Sequence, residues 1–160
     1  MKTIGLLSAL TICLVACASV ADAPEDTQPI SSQAVYKGVY AGTYTCARGE
    51  NGITVSVDRI THIEAARSGV AGISARLWFY DVSSNPGHPT GAFELNGILD
   101  LSKVDMIPGE WLSDIPENWG AAGVEGEFVK EDGDIYFVGE PSGPGTSACQ
   151  TFKLKKLVGL

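Results

Sequence analysis

Glu50-Asn51-Gly52-Ile53-Thr54-Val55-Ser56-Val57-Asp58 decides the fold class. Asn51-Gly52 is the strongest short hairpin cue, and Glu50-Asn51-Gly52 is read as a turn. After it, Ile53, Val55 and Val57 alternate with Thr54, Ser56 and Asp58. That period of two belongs to a strand with one face in a core and one in water. The same alternation recurs outward from this stretch. Gly42-Thr43-Tyr44-Thr45-Cys46 is a short run before it. Ile73, Ala75, Leu77 and Phe79 alternate with Ser74, Arg76, Trp78 and Tyr80 after it.

Further along, 90–100 reads as one or two strands, with Phe93 and Leu95 on one face. Val124–Lys130 and Ile135–Val138 flank Glu131-Asp132-Gly133-Asp134, a second hairpin turn. A last strand runs from Cys149 to about Lys155, with Phe152 and Leu154 facing inward. The stretch 62–66 fits either a strand or one helical turn. The only helical candidate is short, at 110–115, and there is no internal repeat. Seven to nine short strands with turns between them predict an all-β fold, a small antiparallel β-barrel or sandwich.

The chain has 19 acidic and 11 basic residues, a net charge of −8. Nucleic-acid binders neutralise phosphates with Lys and Arg, so this balance argues against them. It argues equally against peripheral binding to anionic headgroups. It is compatible with a basic protein partner or with plain solubility.

At the N-terminus Lys2 precedes an apolar run from Ile4 to Val15, and Leu14-Val15-Ala16-Cys17 closes it. A charged start, an apolar run and small residues before a cleavage point make a secretory signal. The run is shorter than the ~20 residues that span a bilayer. Leu14-Val15-Ala16-Cys17 is similar to the lipobox of bacterial lipoproteins. The resemblance implies cleavage before Cys17, diacylglycerol on the Cys17 thiol and a further acyl chain on the new amine. It implies a place in the cell envelope; Ala18, in place of an aspartate, favours the outer membrane. The expected organisation is a signal peptide at 1–16, a flexible tether at 17–34 and one antiparallel β domain at 35–160. The tether reading rests on Ala, Ser, Asp, Glu, Pro, Thr and Gln without apolar periodicity.

Export also organises the cysteines. The lipoprotein resemblance implies that Cys13 leaves with the signal and that Cys17 is lipidated, which leaves Cys46 and Cys149. An even remainder in an oxidising compartment predicts a structural disulfide, closing the first core strand onto the last.

The folded part resembles a bacterial exported domain of no established activity. The motifs are Gly42-Thr43-Tyr44-Thr45-Cys46, Phe79-Tyr80, Pro86-Gly87-His88-Pro89-Thr90-Gly91-Ala92-Phe93, Pro108-Gly109-Glu110-Trp111, Gly123-Val124-Glu125-Gly126 and Cys149-Gln150-Thr151-Phe152. Tyr44-Thr45-Cys46-Ala47-Arg48-Gly49 is also similar to the opening of periplasmic lysozyme inhibitors, small disulfide-closed β-barrels. In those a Ser-Gly-x-x-Tyr loop enters the lysozyme cleft. Ser68-Gly69-Val70-Ala71 is the nearest counterpart, and it lacks the aromatic.

The candidate binding residues are Glu110, Trp111, Asp114, Glu117 and Trp119. Indole faces beside carboxylates suit sugar rings and also serve as protein-interface anchors. Alternatively Trp111 plugs one end of the barrel while the acids face water. A glycosidase pair among these acids would need a set carboxylate separation and one raised pKa, and sequence shows neither. His62 and His88 are the only histidines, and there is no Gly-x-Ser-x-Gly elbow. His88 reads as an exposed loop residue. Glu131–Asp134 is too short for an EF-hand calcium loop. No metal or cofactor is expected. The reading is a monomeric, lipid-anchored, non-catalytic binding domain for an envelope protein. The alternatives are a carbohydrate or peptidoglycan module and a lysozyme inhibitor.

Overall fold

The computed structural model describes residues 30–158. After a 3-10 helix at Ile30–Tyr36 come eight strands: β1 (Gly38–Cys46), β2 (Gly49–His62), β3 (Val70–Tyr80), β4 (Gly91–Asp100), β5 (Lys103–Trp111), β6 (Gly123–Glu131), β7 (Asp134–Ser142) and β8 (Phe152–Val158). Each pairs antiparallel with the next, and β8 returns to β1. The result is a closed barrel, one of the two expected architectures, and closure leaves no long free edge. Residues 1–29, which include Cys17 and the expected signal peptide, lie outside the described residues.

Inward positions follow the period of two. Ile53, Val55 and Val57 of β2 face Ile73, Ala75, Leu77 and Phe79 of β3, all nearly fully buried. Phe93, Leu95 and Leu99 of β4 continue the core, as do Val104 and Met106 of β5. An eight-stranded barrel is just wide enough for side chains to fill or to hold one small ligand. Here the two halves differ, because the connections at the two ends differ.

One end is sealed. Leu101-Ser102 and Asp132-Gly133 are tight turns there, and the 3-10 helix lies across it. Gln33 is buried, and its Nε2 donates to the carbonyls of Gly69 (2.7 Å) and Leu101 (3.2 Å), tying two floor turns together. Tyr36 stacks on Phe128 at 4.6 Å, and the Tyr40 hydroxyl donates to the Tyr36 carbonyl at 2.8 Å. Burial, then Tyr36, pushes the Tyr40 phenol well above its ordinary pKa. Phe128, Phe137 and Phe152 pack in sequence above this floor, at 4.9 and 5.4 Å between centroids.

Several expectations are corrected. Asn51-Gly52 is not a turn but lies inside β2; the hairpin turn is Ala47-Arg48, with Cys46 opposite Gly49. Gly52 is glycine because Tyr80 lies against it: an added Cβ would meet the ring at 2.1 Å. The 110–115 helix is absent. Glu110 and Trp111 instead end β5, a strand without clear alternation in the sequence, and Val104 and Met106 are its buried positions. Pro108 and Gly109 mask its period. His62 closes β2, and β8 starts at Phe152, three residues after Cys149. The 3-10 helix at Ile30–Tyr36 begins within the stretch read as tether, and its Gln33 is buried against the floor turns.

Candidate functional site

The other end of the barrel is a mouth. In an up-and-down barrel alternate connections share one end. Those of β1–β2, β3–β4, β5–β6 and β7–β8 therefore ring the end opposite the floor. The last three are long, at 81–90, 112–122 and 143–151. Cys46 and Cys149 lie at disulfide-bonding distance here, with Cα atoms 3.9 Å apart, and pin the first rim turn to the last loop. The Gln150 amide donates to the Thr45 carbonyl at 2.8 Å beside them. Asn85 secures the 81–90 loop by donating to the carbonyls of Arg48 and Glu50, both at 3.0 Å.

Below this rim is a cavity of about 350 Å³. Small-ligand sites are mostly apolar, with a few placed polar groups, and start near this size. Ile53, Leu77, Phe79, Phe93, Val124 and Phe152 form its apolar wall, and Arg48, His88, Asn118 and Trp119 bring polar atoms. Tyr44 also lines it, and burial raises its phenol pKa, so it is neutral at ordinary pH.

Trp119 is the centre of the arrangement. Its ring stacks on Phe79, with centroids 5.1 Å apart and planes 13° apart. His88 meets it edge-on at 4.8 Å, and the Arg48 guanidinium lies over it at 5.2 Å. The indole Nε1 is buried without a partner. His88 is only 9% exposed, a correction of the exposed-loop expectation, because its loop folds over the rim and Trp119 covers it. Its Nδ1 lies 3.2 Å from the Pro89 carbonyl. A carbonyl only accepts, so Nδ1 is the donor in this contact, which leaves Nε2 as the ring's other polar atom. That Nε2 is also buried and unpartnered. Native proteins leave few buried polar atoms unpaired.

The five predicted site residues separate into two groups. Trp111 and Trp119 come together through Phe79; Trp111 packs edge-on to Phe93 at 5.3 Å and to Phe79 at 6.2 Å. Glu110, Asp114 and Glu117 are exposed, and none lines the cavity. Ser68–Ala71 lies at the sealed end, where the Gly69 carbonyl accepts from Gln33 and from the Leu101 amide.

No known protein family matches this chain, and no characterised protein matches it significantly. The site must therefore be read from its own chemistry. Sequence reasoning missed Arg48, His88 and Phe79 as site residues. The signal for them is topological: once eight strands alternate up and down, Ala47-Arg48 and the loop holding His88 fall at the same end as Trp119.

Among the described residues no helix is long and apolar enough to cross a membrane.

Proposed function

We propose that this protein is a lipid-anchored envelope lipoprotein whose barrel is a non-catalytic binding module, with the ligand held in the mouth. The observation that carries the reading is the mouth cavity beneath Trp119, where two buried polar atoms, His88 Nε2 and Trp119 Nε1, lack partners. Both atoms are closed off as the rim stands, so a ligand that shifts the Trp119 or His88 side chain to reach them would supply the missing hydrogen bonds and bury its apolar body at the same time. The anchor reading rests on the lipobox-like Leu14–Cys17. It agrees with the placement of Ile30–Tyr36 at the sealed end, since a chain arriving there leaves the mouth facing away.

The test adds soluble glycan fragments and lipid-derived small molecules from the envelope to the protein, and records tryptophan emission. The expected result is a saturable change that Trp119→Phe abolishes. A change that survives Trp119→Phe would contradict the mouth as the site. For the anchor, Cys17→Ser is expected to release the protein from membranes; retention with unchanged mobility would contradict it.

A second reading keeps the outer face of the 112–122 loop as a protein-docking surface. Leu112 and Ile115 are 47% and 59% exposed among the exposed carboxylates Glu110, Asp114 and Glu117. Such a surface would dock on a basic partner with strong salt dependence. Loss of partner binding on changing these acids to amides, with the mouth intact, would support it.

A further inference from the structure

The charge at the mouth runs against the charge of the chain, and we infer that the ligand is a small organic anion with an apolar body. The inference rests on the mouth being the binding site and names the class of molecule it takes. Although the chain carries 19 acidic residues, none of those among the described residues lines the cavity. Arg48 is the one Lys or Arg among the lining residues. Among the described residues its guanidinium has no carboxylate within ion-pair distance; Lys37, Arg59, Lys103, Lys130 and Lys156 share that state, but none of them lines the cavity. The carboxylate nearest in sequence, Glu50, is engaged by the Ser84 hydroxyl. Arg48 is therefore a cation held over an aromatic face at the edge of an apolar chamber, with donors to spare.

The neighbouring donor has the same need. Trp119 Nε1 can only donate, so it requires an acceptor. A carboxylate is acceptor-only and can take bonds from the indole and the guanidinium together. His88 Nε2, also buried without a partner, stands beside Trp119 as a second polar atom for the same ligand. Phe79, Phe93 and Phe152 then face the apolar body. A cationic head would meet Arg48 with like charge, and a neutral head would forgo the charge-assisted bond.

The experiment titrates the full-length protein with three probes that share one body and differ in head: 2-naphthoate, 2-naphthamide and 2-naphthylmethylammonium. Affinity is read by calorimetry, and the Trp119 indole N–H resonance, assigned with Trp119→Phe, reports contact. The expected result is 2-naphthoate at least about tenfold tighter than either analogue, a difference one charge-assisted hydrogen bond supplies. The Trp119 resonance moves with it, and Arg48→Gln, on an exposed turn, removes the preference. Equal binding of all three probes with the Trp119 resonance moving would overturn the anionic class while leaving mouth binding standing. Binding of none, or binding that leaves the Trp119 resonance still, would overturn both. A preference for 2-naphthoate that survives Arg48→Gln would overturn the role of Arg48.

Discussion

Trp119 lies flat on Phe79, 5.1 Å between ring centroids, and this stack closes the mouth of the barrel over its apolar chamber. Phe79 belongs to β3 and Trp119 to the loop between β5 and β6, so the pair joins a rigid wall to the long connection that roofs it. The contact depends on a glycine. Gly91 faces Phe79 across the β3–β4 ladder, and a Cβ there would sit 2.5 Å from the Phe79 ring and 3.1 Å from Trp111.

Gly91→Ala is therefore expected to displace Phe79 and Trp111 together. Overpacking of this kind costs about 1–3 kcal/mol. Urea unfolding should show that loss, with altered tryptophan emission in the folded baseline. Unchanged stability and emission would mean that the wall has room the structure does not show.

Gln33→Ala tests the floor. Its Nε2 serves two turn carbonyls, and among the described residues it is the buried amide that ties the 3-10 helix to the barrel. Removing it takes the second donor from the Gly69 carbonyl, which keeps the Leu101 amide, and the side-chain donor from the Leu101 carbonyl, a loss of about 0.5–1.5 kcal/mol for each hydrogen bond. The mouth lies at the other end, so affinity there is expected to hold while the midpoint of unfolding falls. Loss of affinity without loss of stability would contradict this separation of floor from mouth.

The Cys46–Cys149 pair spans 103 residues of sequence. A bond closing a loop of that length is worth about 4–5 kcal/mol in the chain-entropy model. Unfolding in reductant, or with both cysteines changed to alanine, should fall by an amount of that order. Thiol titration of the unreduced folded protein should find neither Cys46 nor Cys149 free. Because both residues line the cavity, reduction should also weaken any mouth ligand.

Asp58 sets an acid limit. It sits where the β2–β3 register shifts, and it accepts from Arg76 Nε at 2.6 Å and from the Ser56 hydroxyl at 2.7 Å. The Arg76 hydrogen bond is the largest cause holding its carboxyl below the usual carboxylate range. The unfolded chain then binds this proton more readily than the folded one, so the contribution is whole above the ordinary value of about 3.9 and is lost as pH falls through the folded pKa. The ion pair is partly exposed, so its worth is modest. Asp58→Asn should flatten the loss of stability between pH 5 and the acid limit, measured by urea midpoints across pH; an unchanged slope would contradict it.

The barrel was legible wherever alternation is strict. Ile53 to Val57 and Ile73 to Phe79 announce two neighbouring strands, and the structure pairs them residue by residue. It was hidden where local cues oppose the ladder. Asn51-Gly52 has the chemistry of a turn, yet Gly52 is needed for its missing side chain beneath Tyr80, and the turn falls to Ala47-Arg48. Pro108 and Gly109 interrupt the pattern of β5 and hid it. The site was half legible. Of the five candidate residues Trp119 lines the cavity, while Trp111 packs on Phe79 and Phe93 and is not part of the lining, and the partners of Trp119, namely Phe79, His88 and Arg48, lie far away in sequence. Only the order of strands around the barrel brings them together.

The most direct test of mouth binding is a map of amide and indole shifts in the full-length protein as 2-naphthoate is added. The account predicts shifts concentrated at Arg48, His88, Trp119 and the 143–151 loop, with Gln33 and the floor turns unmoved. Shifts confined to the outer face of Glu110, Asp114 and Glu117, or to the floor, would contradict it.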